Sequence, residues 1–167
     1  GALLEVLAAD APLEVTVHKD FDWWLAGEAD AQTRQLVEHA NSLITPAARL
    51  DLGADGIGAP WWADTGSKAH LRWVHPAPED ELMAALARVH AAGGLTVGEG
   101  SRFAGSFRSD GLLVPVFDLD RESHPDEWVA GTVELAKRLA EALTDDSELT
   151  AAQRRSRDGL RGRQVSL

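Results

Sequence analysis

The stretch RFAGSFRSDGLLVPVFDL, Arg102–Leu119, decides the fold class because it reads as a complete β-hairpin. Phe103, Gly105 and Phe107 alternate with Arg102, Ala104, Ser106 and Arg108, the period of a strand with one face turned to a core. Asp110-Gly111 supplies a two-residue turn whose residues tolerate positive φ, and Leu112–Phe117 supplies the return strand. Pro115 lies inside that return strand and brings no N–H to a ladder, so the strand is expected at a sheet edge or a bulge. The pattern carries no catalytic chemistry.

Outward from the hairpin, the hydrophobic period alternates between two values. Leu13, Val15 and Val17 alternate with Glu14, Thr16 and His18, which predicts a half-buried strand over Leu13–Val17. Over Gln32–Ile44 the period becomes helical, with Leu36, Val37, Ala40, Leu43 and Ile44 on one face and Pro46 beyond the end. Short extended pieces are predicted at Ala48–Leu52, Ile57–Trp62 and Ala69–His75. A helix follows over Glu79–Ala92, with Pro78 and three acids at its start and Gly93-Gly94 at its end. After the hairpin, Ser123 and Asp126 resemble a capping box opening a helix over Asp126–Leu143. Thr150 and Gln153 cap a last helix that lacks an apolar face of its own and must dock or fray. The expected fold is α+β: a largely antiparallel sheet with three main helices on one face, residues 1–148 forming the globular domain and 149–167 a basic helix or tail.

Composition narrows the function. A chain of 167 residues is long enough to bury roughly 70% of its unfolded surface without covalent help. It has no cysteine, so there is no thiolate nucleophile, disulfide framework or cysteine zinc site, and a reducing, cytoplasmic interior is expected. No apolar run approaches the ~18 residues of a membrane span, and no leader is apparent. The first residue is Gly, as expected of a fragment or processed chain. The net charge of −11 argues against a general nucleic-acid surface. From Ala151 onward, however, Arg154, Arg155, Arg157, Arg161 and Arg163 face the single acid Asp158. That segment is net +4, leaving −15 for the rest, and it is a candidate docking element for a partner or, alternatively, a nucleic-acid contact.

Two constellations carry the functional candidates. His18, Asp20 and Asp22 alternate, so an extended backbone would project them to one side, where they could serve as an acid/base or hard-metal site; a solvated polar row has the same pattern. The remaining histidines do not assemble. Thr65-Gly66-Ser67-Lys68 has the wrong order for a phosphate loop, Gly98-Glu99-Gly100 precedes a strand instead of a helix, and no G-x-S-x-G elbow occurs. No cofactor motif stands out and no metal site is expected. Trp23-Trp24 and Trp61-Trp62 hold four of the six tryptophans in a chain without tyrosine. On an extended backbone one indole of each pair turns inward and the other outward, where it can anchor a protein interface, including one between two copies of the chain. A non-catalytic protein-binding or adaptor domain is therefore the leading expectation, ahead of an enzyme centred on His18, Asp20 and Asp22.

The blocks LEVTVHKDFDWW, KAHLRWVHP, LARVHAAGG, GEGSRFAGSFRSDGLLVPVFDL and LTAAQRRSRDGLRGRQVSL resemble the C-terminal half of an actinobacterial family of unknown function, whose full-length members carry a SecA-C-type zinc motif near the N-terminus. The resemblance implies a cytoplasmic protein with this chain as its C-terminal domain. It implies no activity, and without cysteines no zinc is carried over. The expected order from Gln32 onward (helix, three strands, helix, two strands, helix) is also similar to the type III secretion chaperone and YbjN-like fold, whose members often dimerise and bind extended polypeptide.

Overall fold

The computed structural model describes residues 14–25, 27, 29–54, 56–163 and 165, and its chain divides into two compact units, 1–44 and 45–167. In the first unit, residues 14–18 have no regular structure, a 3-10 turn spans Asp22–Trp24, and helix α1 spans Ala31–Ser42. Asp30 caps α1, its carboxylate accepting the Thr33 N–H at 2.7 Å. The strand predicted over Leu13–Val17 is not found: Leu13 lies outside the described residues, and Val15 and Val17 are each 71% exposed. Alternation makes a strand only where a neighbour takes its backbone groups and a layer covers its apolar side. No described strand pairs with this segment. Of the apolar stripe predicted for α1, only Val37 is buried, while Leu36, Leu43 and Ile44 are exposed.

The second unit is an antiparallel sheet backed by helices. Strands β1 (Ala47–Arg49), β2 (Ala59–Asp64) and β3 (Ala69–Val74) form a meander that leads into helix α2 (Glu79–Ala91). The hairpin follows as β4 (Arg102–Ser109) and β5 (Leu112–Leu119). A 3-10 turn at Pro125–Trp128 then leads into α3 (Val129–Leu143), and α4 (Ala151–Arg161) ends the fold. The sheet order is β1-β2-β3-β5-β4, every neighbouring pair antiparallel. Asp110 at φ 51 and Gly111 at φ 81 make the turn that the Asp-Gly pair predicts.

Register sets the faces. Trp62 pairs with Leu71, Leu71 with Phe117, and Phe117 with Phe103, so these four share the side that packs on Leu82, Leu86, Leu135 and Leu139 of α2 and α3. Trp61, His70, Arg72, Val116 and Asp118 fall on the other side. Pro115 corrects the expectation of an edge or a bulge at its position: β5 is interior, and the bulge lies on β4 between Phe103 and Gly105. Ser106, its partner, turns both backbone groups outward, to the Arg163 carbonyl and the Val165 N–H, each at 3.1 Å. The Pro115 nitrogen therefore faces the β3 side, where pairing stops at Arg72–Val116, so no ladder bond is lost.

The α3 entry also differs from the predicted Ser123/Asp126 cap. His124 is the capping residue, its Nδ1 accepting the Asp126 N–H while its own N–H donates to Glu127 at 2.6 Å. At α4 the Thr150/Gln153 capping box forms as predicted. This helix docks through one apolar residue: Leu160 is 1% exposed and belongs to the core. Arg161 pairs with Asp80 of α2 at 2.8 Å, and Ser156 meets His90 at 3.0 Å. No described helix is long and apolar enough to cross a membrane.

Candidate functional site

The segment carrying the first tryptophan pair is built by hydrogen bonds onto α1. Asn41 receives the Phe21 N–H on its Oδ1 at 2.8 Å and donates from Nδ2 to the Asp22 carboxylate at 2.9 Å. Asp20 in turn accepts the Asp22 N–H at 3.0 Å. These contacts wind Asp22–Trp24 into a 3-10 turn, so Trp23 and Trp24 do not part to opposite sides as on an extended chain. Both stand out, 53% and 61% exposed, with their rings edge to face at 5.5 Å. His18 stacks on Trp23 with centroids 4.7 Å apart, and Phe21 lies 5.2 Å from Trp24. Four rings thus form one cluster in a unit that also exposes Val15, Val17, Leu36 and Leu43.

His18, Asp20 and Asp22 each have a local role. The two carboxylates accept from the turn's own backbone and from Asn41, Lys19 sits 3.6 Å from Asp20, and the imidazole faces an indole. Among the described residues no group of three histidines and acids is arranged to hold a metal ion.

Trp61 and Trp62 do part, because β2 is extended. Trp62 packs against the core. Trp61 takes the opposite side, half-buried, with Arg49 and Arg72 as its direct cross-strand neighbours. On the same side, Asp118 gathers three cationic or titratable groups: Lys68 at 2.9 Å, Arg102 at 2.8 Å and His70 at 3.5 Å. Burial pushes the Asp118 carboxyl up, but the bonds from Arg102 and Lys68 outweigh it and hold the group below the usual carboxylate range. Burial likewise pushes His70 down, more than the Asp118 charge raises it. Sequence reading missed this cluster, whose signal lies only in the pairing of His70 and Arg102 with Asp118 across β3, β5 and β4.

Much of the arginine tail is engaged within the chain. Arg154 donates to the Leu149 carbonyl, Arg157 pairs with Asp158 at 3.0 Å and Arg161 with Asp80, while Arg163 joins β4 through its carbonyl. Arg155 is exposed. Among the other histidines, His75 is buried and accepts the Ala77 N–H on Nδ1 at 3.1 Å; burial holds its pKa below the ordinary 6.5.

No curated protein and no solved structure matches the chain. A family model does match, from residue 1 to residue 167, and it spans the exposed aromatic cluster, the sheet and the docked tail alike: the chain belongs to the family of unknown function DUF5926.

Proposed function

We propose that the chain is a non-catalytic protein-interaction domain whose contact surface is centred on Trp23 and Trp24, and that a second copy of the chain occupies it. The observation that carries this reading is the exposure of both indoles, together with that of Val15, Val17, Leu36 and Leu43 in the same unit. An indole buries on the order of 150–250 Å² when covered, and rigid exposed aromatics are the usual anchors of protein contacts. The local hydrogen bonding of Asp20 and Asp22 gives the catalytic reading less support. The internal pairing of Arg157 and Arg161 does the same for a nucleic-acid contact. Cytoplasmic residence, and a place as the C-terminal domain of an actinobacterial protein with a SecA-C-type zinc motif, belong to the same proposal; the lack of cysteine and the sequence blocks quoted above support them.

Sedimentation velocity over a concentration series tests it. The wild-type chain is expected to self-associate, and Trp23→Ser/Trp24→Ser to remain monomeric with an unchanged unfolding midpoint. A wild-type chain that stays monomeric at all concentrations overturns the proposal, as does association that the double substitution leaves intact.

A further inference from the structure

Where α2, α3 and α4 meet, a cleft of about 510 Å³ opens to the surface, a size that accepts a small molecule. We infer that it is a binding site for an apolar α-amino acid, a function separate from the interaction surface proposed above. The floor is apolar: Val89 and Ala92 from α2 and its C-cap, and Ala142 from α3.

The charges on the rim determine the ligand class. Arg88 is neutralised, with Nε 3.1 Å from Asp145 and Nη2 donating to the Ser147 carbonyl at 2.5 Å, so it ties the α3–α4 connection down as one wall. Arg138 is held differently. Its Nε donates to the Glu134 carbonyl at 3.0 Å and its Nη1 to the Gly94 carbonyl at 2.6 Å, so the guanidinium is fixed in place by neutral groups. The missing side chain of Gly94 makes room for it, since a Cβ there would lie 3.0 Å from Nη1. Among the described residues Arg138 has no acidic partner within ion-pair distance, and its Nη2 makes no hydrogen bond. Glu141, three residues further along the same helix and on the same rim, is exposed and likewise has no cationic partner among the described residues.

One fixed positive and one negative residue thus line the same cleft over an apolar floor. Residues at i and i+3 of a helix have Cβ atoms about 5–6 Å apart, close enough for both side chains to reach the adjacent charges of one amino acid. Its carboxylate would accept from Arg138 Nη2, its ammonium would donate to Glu141, and its side chain would cover Val89, Ala92 and Ala142. A simple carboxylate would set its charge beside Glu141, and a simple amine beside Arg138. Only the zwitterion complements both.

Calorimetric titration of the whole chain tests the inference, with L-phenylalanine and L-leucine as probes. The controls are phenethylamine, which lacks the carboxylate, and 3-phenylpropionate, which lacks the ammonium. The two amino acids are expected to bind saturably and each control about tenfold or more weakly than L-phenylalanine, the loss of one charge-assisted hydrogen bond. Glu141→Gln, at an exposed position, should weaken L-phenylalanine similarly and leave 3-phenylpropionate no weaker; Arg138→Met should do the converse with phenethylamine. Ala142→Trp, which fills the cleft, should abolish binding. Failure of both amino acids to bind overturns the inference. So does equal affinity for the controls, or binding indifferent to Glu141→Gln and Ala142→Trp.

Discussion

Gly105→Ala should detach the C-terminal segment from the sheet edge, and its energetic consequence can be worked from the geometry. Gly105 follows the β4 bulge at φ 148, and a Cβ built there would lie 2.5 Å from the Arg163 carbonyl oxygen and 3.1 Å from Val165 Cγ2. The backbone of Arg163 must retreat, and with it go the two bonds at Ser106, each 3.1 Å. Those are worth about 0.5–1.5 kcal/mol each, and forcing a side chain onto this backbone conformation adds about 1–3 kcal/mol. The expected loss is therefore about 2–6 kcal/mol in the full chain. In a chain ending at Gly162 the steric part has nothing to act on, and only the strain of about 1–3 kcal/mol should remain. Urea unfolding of the four proteins (each background with Gly or Ala) measures the coupling as a shift of midpoint at constant slope. Hydrogen exchange adds a local reading: the Ser106 amide should lose protection equally on truncation and on Gly105→Ala. Equal cost of Gly105→Ala in both backgrounds would refute the reasoning, because the tail would then contribute nothing to the requirement for glycine.

Two further outcomes follow from buried groups. Leu160→Ala should destabilise the chain by about 2–5 kcal/mol by opening a cavity under α4, and exchange of the α4 amides should rise before that of β5, as hydrogen exchange can resolve. For pH, burial depresses His75 in the folded chain, so the unfolded chain binds that proton more readily; stability should be full above about pH 6.5 and fall as pH drops toward the folded pKa, by up to about 1.4 kcal/mol per pH unit for the one proton. Protonation of Nδ1 also removes the acceptor for the Ala77 N–H, so His75→Gln should flatten this part of the stability profile; an unchanged slope between pH 6.5 and 5 would exclude His75 as its source.

The elements legible in the sequence were those whose periodicity and boundaries agree. The hairpin announces itself through alternation and Asp-Gly, α2 through Pro78 and the Gly93-Gly94 stop, and α4 through Thr150 and Gln153. The segment 13–17 has the same alternation as β4, yet no described strand pairs with it, and a period by itself says nothing about whether a neighbour exists. The docking of α4 was hidden for a related reason. One leucine in eleven mostly polar residues makes no stripe, and its burial depends on the shape of α2, which no local pattern encodes.

Candidate sites follow the same rule at longer range. The pairing of Trp23 with Trp24 was visible, but the outward turn of both indoles depends on Asn41, which lies 20 residues from Phe21 and reads as an ordinary polar position near the end of a helix. Asp118 meets Lys68 across 50 residues and Arg102 across 16, and its surroundings exist only because β3 and β4 flank β5 in one particular register. A slip of β5 by one residue against β3 would send Asp118 to the helix side and Phe117 to the other. The burial of Phe117 therefore fixes which charges meet at Asp118, so the core specifies this cluster before any of its polar members does. The amino-acid cleft depends on packing in the same way. Arg138 and Glu141 are neighbours by helical spacing, but the guanidinium is turned to the end of α2 by the Gly94 carbonyl, 44 residues away, and the unpaired charges on the rim are a product of helix packing rather than of any motif.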